Sequence, residues 1–191
     1  MDYTEIKKWL KENLSDEKYI HSLGTADCAK ELAQMFNLDA QKAFDAGLLH
    51  DCAKCLPQEK LLEIINNHLA VEQEELLNYK TLHAPVSAYY AKTLFGISDS
   101  EILSAIRWHT LGKMEMTDFE KIIFISDKIE PNTRNPEFSK EIKELLQEDN
   151  GLDKALLRIS KENIKHLLKK DLRICPITIN IYNKLQELMK K

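Results

Sequence analysis

The sequence predicts an all-α fold, and three features support that prediction. Apolar residues recur at intervals of three and four along most of the chain, which is the period of an amphipathic helix. Alternating runs of β-branched residues, which would indicate strands, are nearly absent. Only five glycines and five prolines interrupt the 191 residues, so we expect a compact multi-helix fold with few breaks.

The first half of the chain contains several predicted helices, and two of them begin at clear signals. Asp39 is a suitable N-cap for a helix that runs through His50 and Asp51 and stops before Pro57. His83-Ala84-Pro85 opens another helix, because proline is favoured in a first turn. Periodicity alone predicts further helices over 4–14, 16–37, 58–68 and, more briefly, 72–78.

The second half carries two predicted capping boxes, Ser98-x-x-Glu101 and Thr117-x-x-Glu120. The helices that they start should end near His109 and near Ile129, just before Pro131. Charged helical runs follow at 137–148 and 153–170, and a last helix runs from Pro176 to Lys191. Because no linker or repeat separates these segments, we expect residues 1–191 to form a single domain.

Composition excludes several classes of partner. The chain has 27 basic and 31 acidic residues, for a net charge of −4, which argues against a surface built to bind nucleic acid. No apolar run approaches the roughly 20 residues of a membrane span. The first residues lack the basic and apolar regions of a signal peptide, so a cytoplasmic location is expected.

Histidines in apolar surroundings are the candidate metal ligands. His21, His50, His83 and His109 lie among small or apolar residues, whereas the polar neighbours of His68 and His166 predict surface positions. His50 adjoins Asp51, and imidazole plus carboxylate is the ligand combination of zinc, manganese or non-haem iron.

Asp127 is a further candidate ligand. It follows a strongly apolar helix, where a carboxylate is costly to bury without a partner. A metal ion would be such a partner. A surface-facing aspartate is the alternative that helical phase leaves open.

In order and spacing, His21, His50-Asp51 and Asp127 resemble the HD-domain metal-dependent phosphohydrolases, and His83 with His109 resembles their two-metal branch. Shorter motifs resemble the YqeK family: His21-Ser-Leu-Gly24, Leu49-His50-Asp51-x-Ala-Lys54, His83-Ala-Pro85, Ala105-Ile-Arg-x-His-Thr110 and Asp127-x-Ile-Glu-Pro131. The resemblance implies an HD-domain fold with its core at about 18–131 and the helices of 137–191 packed on it.

The YqeK resemblance also implies an activity: symmetrical hydrolysis of diadenosine tetraphosphate (Ap4A) to two ADP at a centre of two divalent metal ions. Iron is the implied metal, and manganese, cobalt or zinc would suit the same donors. The implied ligands are His21, His50, Asp51, His83, His109 and Asp127. We expect one ion to take His21, His50 and Asp127, the other to take His83 and His109, and Asp51 to bridge them. The family also suggests a homodimer.

Five residues are predicted to contact the substrate: Lys54, Thr110, Arg134, Thr178 and Asn183. Lys54 follows Asp51 by three residues and could hold a phosphate oxygen, although a solvated lysine is the alternative. With Asp51 and Asp127, it completes the predicted catalytic set. Arg134 lies one residue further along than the family's arginine. Thr178 and Asn183 belong to a segment that closes over the nucleotide in the family, and Tyr182 replaces an arginine there.

Three other functions are compatible with the same ligands. The chain could hydrolyse another nucleotide, such as a guanosine polyphosphate, since the pocket and not the ligand set decides the substrate. It could be a di-iron oxygenase. It could also bind nucleotide without turning it over, which the complete ligand set disfavours.

Overall fold

The computed structural model describes residues 2–190, which contain ten α-helices, two short 3₁₀ turns and no strand. The all-α prediction is therefore confirmed. The helices are α1 (Tyr3–Asn13), α2 (Asp16–Met35), α3 (Ala40–Leu49), α4 (Gln58–His68), α5 (His83–Thr93), α6 (Ser100–Trp108), α7 (Asp118–Ile129), α8 (Pro136–Leu145), α9 (Gly151–Lys169) and α10 (Pro176–Leu188).

Side-chain caps set several helix starts. Asp39 caps α3 by accepting hydrogen bonds from two backbone amides of the first turn. Thr117 and Glu120 form the predicted capping box of α7. The box predicted at Ser98 is wrong, because Asp99 is the N-cap of α6 and its carboxylate accepts from the amides of Glu101 and Ile102.

Two predicted helical segments take other conformations. The helix expected to include His50 ends at Leu49, and turns follow, one of them closed by a 2.8 Å bond from the Lys54 amide to the Asp51 carbonyl. The segment predicted as helix 72–78 forms 3₁₀ turns at Gln73–Leu76 and Tyr79–Thr81.

An ion pair with the buried carboxylate of Glu75 holds the first of these 3₁₀ turns. The guanidinium of Arg107 binds the carboxylate of Glu75 through two nitrogens, at 2.9 and 2.6 Å. It also donates to the carbonyl of Ala70. Glu75, only 2% exposed, accepts a further bond from the amide of Glu72. These contacts hold the segment against α6, which gives Arg107 a structural role.

The core lies between α2, α3, α6 and α7, whose apolar faces pack together. Its largest fully buried side chains include Leu48, Ile106, Ile122 and Ile125. Helices α2 and α3 pack closely at Gly47, where an added Cβ would lie 2.8 Å from the Cα of Ala26. This close packing brings the end of α3 beside the middle of α2.

The last three helices cover one side of this core. Helix α9 packs against α7 and α8, and α10 packs against α9. Grooves between these helices open toward the end of α7, where Asp127 lies. In the part of the chain that the structure describes, no helix has both the length and the apolar character of a membrane span.

Candidate metal centre

The six predicted metal ligands converge at the middle of the helical core. Each of them is at most 4% exposed. Most lie at helix ends, where a side chain can project past its own helix toward a neighbour. The ligands are His21 on α2, His50 and Asp51 just after α3, His83 at the start of α5, His109 just after α6, and Asp127 near the end of α7.

Three of these residues form what we call the first half of the centre: His21, His50 and Asp127. The Nε2 atom of His21 lies 2.9 Å from Oδ1 of Asp127 and 3.3 Å from Nε2 of His50. The Nε2 atom of His50 lies 3.8 Å from the same carboxylate oxygen. This grouping is the one expected from the sequence for one ion.

The second half consists of Asp51, His83 and His109. The Nε2 atoms of the two histidines lie 2.9 and 3.3 Å from Oδ1 of Asp51 and 3.3 Å from each other. His50 lies between the two halves, with its Nε2 atom 3.6 Å from Oδ2 of Asp51. Asp51 is therefore in reach of both halves, as a bridging ligand must be.

Hydrogen bonds fix the tautomer of every histidine in the centre. The Nδ1 atoms of three donate to backbone carbonyls: His50 to Gly47 at 2.7 Å, His83 to Lys80 at 2.9 Å and His109 to Ile106 at 2.7 Å. The Nδ1 atom of His21 donates instead to the carboxylate of Glu130, at 3.0 Å. With the proton on Nδ1, each neutral ring points an unprotonated Nε2 into the centre.

Burial keeps His50 and His83 neutral. It lowers the pKa of His50 to about 3 and that of His83 to about 4, against the attraction of nearby Asp51. Burial by itself raises the pKa of Asp127, but the positive charges of Lys128 and Arg134 outweigh it and hold that pKa well below its usual range.

The donor set fits a pair of divalent cations. Four ring nitrogens and two carboxylates face one another with lone pairs and few protons between them. Oδ1 of Asp51 is fully buried and has no hydrogen-bond donor, an arrangement that is costly without a cation. Nitrogen and oxygen donors without a cysteine match iron, manganese, cobalt or zinc.

Glu130 contacts the centre, although the sequence did not predict it as a site residue. Its carboxylate is fully buried and accepts from His21, from the side chain of Thr133 and from the amides of Asn132 and Thr133. A carboxylate behind a ligand histidine fixes the ring's orientation and raises its basicity. Gly24 makes room for it, since a Cβ there would overlap Oε2 of Glu130. The signal was present in the His21-x-x-Gly24 and Asp127-x-x-Glu130 spacings, which bring these residues to one place.

Three cations adjoin the centre. The Lys54 ammonium donates to Nε2 of His83 at 3.0 Å and lies 3.5 Å from Asp51. Arg134 donates to the carbonyl and the carboxylate of Asp127, both at 2.6 Å. Lys128, which was not predicted, binds the other Asp127 oxygen at 2.6 Å.

Two grooves lead away from the centre. The first, which we call the narrow groove, has a volume of about 220 Å³ and is lined by the 3₁₀ segment, Thr110, the end of α9 and Thr178. The second, the wide groove, has a volume of about 690 Å³ and lies between α8 and α9 beside Arg134. Of the predicted substrate residues, Asn183 lies on α10 and lines neither groove.

Comparison with known proteins agrees with this geometry. The family model described as "HD domain" matches residues 19–132, a span that includes all six residues of the centre. The chain belongs to the HD domain family. Its HD-domain fold is thereby confirmed.

Similar proteins extend the likeness over the whole chain. The chain is 37% identical to the symmetrical bis(5'-nucleosyl)-tetraphosphatase of Bacillus subtilis, covering 96% of this chain and 97% of that one. It is 36% identical to the protein of the same name from Staphylococcus aureus, covering 100% and 99%. This likeness confirms the resemblance to the YqeK family.

A solved structure has the same fold. It is that of a predicted HD superfamily hydrolase involved in NAD metabolism from Clostridium acetobutylicum. It is 38% identical, with a TM-score of 0.89, and the match covers 100% of this chain and 99% of that one.

Proposed function

We propose that this protein hydrolyses Ap4A symmetrically, yielding two ADP, at a centre for two divalent metal ions. The observation that carries the proposal is the buried cluster of unprotonated ring nitrogens and carboxylates, with cations beside it and two grooves leading from it. The names of the relatives support the substrate, because the B. subtilis and S. aureus proteins are both symmetrical bis(5'-nucleosyl)-tetraphosphatases.

The assigned ligands are those of the two halves. His21, His50 and Asp127 would hold one ion, and His83 and His109 the other, with Asp51 shared. When bound, two such ions supply Lewis acidity that polarises phosphate oxygens and makes a water molecule more acidic. Two ions carry a charge of about +4 and the two aspartates return −2, which leaves a site suited to a polyphosphate.

The chain's own cations bind and orient the phosphates. Two ADP result only if water attacks a β-phosphorus, so the middle of the tetraphosphate must lie at the centre. Lys54 lies beside the second half and Arg134 beside the first, so each half of the centre has a cation for phosphate next to it. Arg134 offers a planar pair of donors that matches two phosphate oxygens. Thr110, directly after His109, offers a hydroxyl on the side of the narrow groove.

The native metal is proposed to be iron, as the family implies. The carbonyl and carboxylate partners of the four Nδ1 atoms support any borderline divalent ion, so the metal must be counted rather than inferred. We further propose that residues 1–191 act as one domain. The narrow groove supports this, because it is lined by residues from both the HD-domain match and α9–α10. A homodimer and a cytoplasmic location stay predictions from the sequence.

The test is hydrolysis of Ap4A by anaerobically purified protein, with products separated by chromatography and metal counted on the same sample. ADP as sole product, with about two ions per chain, is the expected result. ATP plus AMP would move the attack to another phosphorus and refute the proposal. NAD and guanosine polyphosphates serve as comparison substrates, and faster turnover of either than of Ap4A would also refute it.

A further inference from the structure

We propose that the wide groove between α8 and α9 is a second nucleoside subsite, which holds one half of the dinucleotide while the narrow groove holds the other. This inference rests on the proposed function and deepens it. It assigns a binding role to a surface formed by Phe138, Arg158 and Glu162, none of which belongs to the metal centre.

The two grooves begin at opposite halves of the centre. The wide groove is lined by Arg134, which contacts Asp127 and lies 3.1 Å from Nε2 of His21, in the first half. The narrow groove is lined by Thr110, which follows His109, and by Lys80, whose carbonyl accepts from His83. Each groove therefore has its inner end at a different half.

The grooves also adjoin each other. Lys128, Asn163 and His166 line both of them and form a ridge where the grooves meet. Lys128 contacts Asp127 at 2.6 Å, so the ridge lies directly beside the centre. A polyphosphate that crosses the centre from one groove to the other meets Lys128 and Arg134 along its path. His166, predicted from sequence to be a surface residue, is exposed and forms part of this ridge.

The lining of the wide groove suits a nucleoside more than a bare phosphate. Besides Lys128 and Arg134, the groove is lined by Arg158, whose charge is matched by acids. Arg158 pairs with Glu141 at 2.6 Å and with Glu162 at 2.9 Å, and its guanidinium lies over the ring of Phe138. Positive charge is therefore concentrated at the inner end, where phosphates would lie. The outer end offers carboxylate acceptors for ribose hydroxyls and an aromatic ring for a base.

A substrate with two identical halves explains why both grooves are present. If the bond between the two middle phosphates lies at the centre, the two nucleosides extend from it in opposite directions. A single subsite would leave one nucleoside in solvent and lose its binding free energy. The wide groove, about 690 Å³ against 220 Å³, is the less restrictive of the two.

The test is a groove-filling substitution, Glu162→Trp, in the metal-loaded protein. Glu162 is exposed and lies only in the wide groove. Lys161→Trp, exposed one residue earlier on α9 and outside both grooves, controls for a tryptophan on this helix. Glu162→Gln controls for loss of the ion pair with Arg158. The two ligands compared are Ap4A and adenosine 5'-tetraphosphate, which has four phosphates but only one nucleoside.

For Glu162→Trp we expect the KM for Ap4A to rise by at least about tenfold, because one nucleoside loses its subsite. The KM for adenosine tetraphosphate should change by no more than about twofold, since its nucleoside still has the narrow groove. Lys161→Trp should behave as the unmodified protein. Glu162→Gln, which keeps an oxygen acceptor in the groove, should raise the KM for Ap4A much less than Glu162→Trp does. An equal effect on both ligands, or no effect on either, would overturn the proposal.

A binding measurement separates this inference from the proposed function. Calorimetry with a non-hydrolysable, methylene-bridged analogue of Ap4A reports the wide groove whether or not turnover occurs. If the protein binds the analogue and Glu162→Trp weakens that binding selectively, the second subsite is supported even if hydrolysis is absent. If the protein hydrolyses Ap4A symmetrically but the substitution changes neither KM nor affinity, the function stands and the second subsite is refuted.

Discussion

The two halves of the centre are built from the same residue types but are held in different ways. In the first half, His21 is oriented by the carboxylate of Glu130, and Asp127 already binds Lys128 and Arg134. In the second half, His83 and His109 are oriented by backbone carbonyls, and Asp51 leaves a buried oxygen without a donor.

The two halves therefore depend on different parts of the structure. In the first half, side chains neutralise Asp127 and orient His21, so this half can be altered by single substitutions outside the ligands. Helix ends orient the second half, so it depends on the fold and on the cation that its unmatched carboxylate requires. Substitutions outside the ligands should therefore weaken metal binding at the first half by degrees. The second half should either bind its ion or lose it altogether.

Asp51→Asn should have the largest effect. It removes the shared ligand, and we expect no detectable turnover and loss of metal from the protein. Because the amide brings hydrogen-bond donors to a cluster of unprotonated nitrogens, the metal-free variant should melt no lower than the metal-free parent. Metal analysis, Ap4A hydrolysis and thermal unfolding measure these outcomes.

Asp45→Asn is the matched control for that substitution. Asp45 lies on α3 and, like Asp51, is buried. It accepts a hydrogen bond from Tyr3 at 2.7 Å instead of facing the metal centre. Its variant should retain metal and activity. Bound metal and normal turnover in Asp51→Asn would show that the shared ligand has been assigned wrongly.

Glu130→Gln should weaken the first half selectively. The substitution keeps the shape but removes the charge behind His21, and we expect a loss of about 10- to 100-fold in affinity for one of the two ions. Calorimetric titration of the metal-free variant with the metal ion should then show one tight and one weak site. Equal weakening of both sites would mean that the halves are not independent.

Gly24→Ala tests the same role of Glu130, because the added Cβ would displace the Glu130 carboxylate. If both substitutions act through His21, the double variant should lose little more affinity than Glu130→Gln alone. Additive losses would indicate two separate effects.

Lys54→Met should lower activity without removing metal. The ammonium lies beside the second half but supplies no lone pair to an ion, so its role is with phosphate. Loss of one charged hydrogen bond, about 1.5–3 kcal/mol, corresponds to a reduction in kcat/KM of about ten- to a hundredfold. Loss of metal from this variant would contradict that role.

The smallest expected effect is a pH dependence of the metal-free protein. Folding lowers the pKa of His50 to about 3 and of His83 to about 4 from 6.5. Between these lowered pKa values and 6.5, the unfolded chain binds more protons than the folded chain does. The free energy of unfolding is therefore highest above about pH 6.5 and falls as the pH is lowered. Urea unfolding at pH 7.5 and 5.5 measures this.

Two variants make that measurement specific. His50→Gln should flatten the dependence on pH, whereas His68→Gln, at an exposed histidine stacked on Tyr89, should leave it as it is. An unchanged slope in His50→Gln would show that this ring does not control the acid sensitivity of the fold.

The sequence predicts some parts of this molecule well because they depend on local signals. Thr117 and Asp39 cap their helices through neighbouring amides, and the resemblance brings His21 and Asp127 to one centre. Asp99 replaced Ser98 as a cap because both are good caps and only the backbone decides between them. The 3₁₀ turn at Gln73–Leu76 is held by the distant Arg107, which no local pattern reveals.

Features that arise from the packing of distant helices could not be predicted from the sequence. Lys128 follows a candidate ligand directly, yet nothing in its neighbours indicates that it binds that ligand. The wide groove exists only because α8 and α9 pack beside the end of α7. Its lining residues, such as Glu162 and Phe138, look like those of any charged amphipathic helix.

The measurement that tests the centre most directly is anomalous diffraction from crystals of the anaerobically purified protein. Two peaks are predicted, one within bonding distance of His21, His50 and Asp127 and the other beside His83 and His109, with Asp51 between them. A single peak, or metal bound elsewhere with these six side chains unoccupied, would contradict the two-metal assignment.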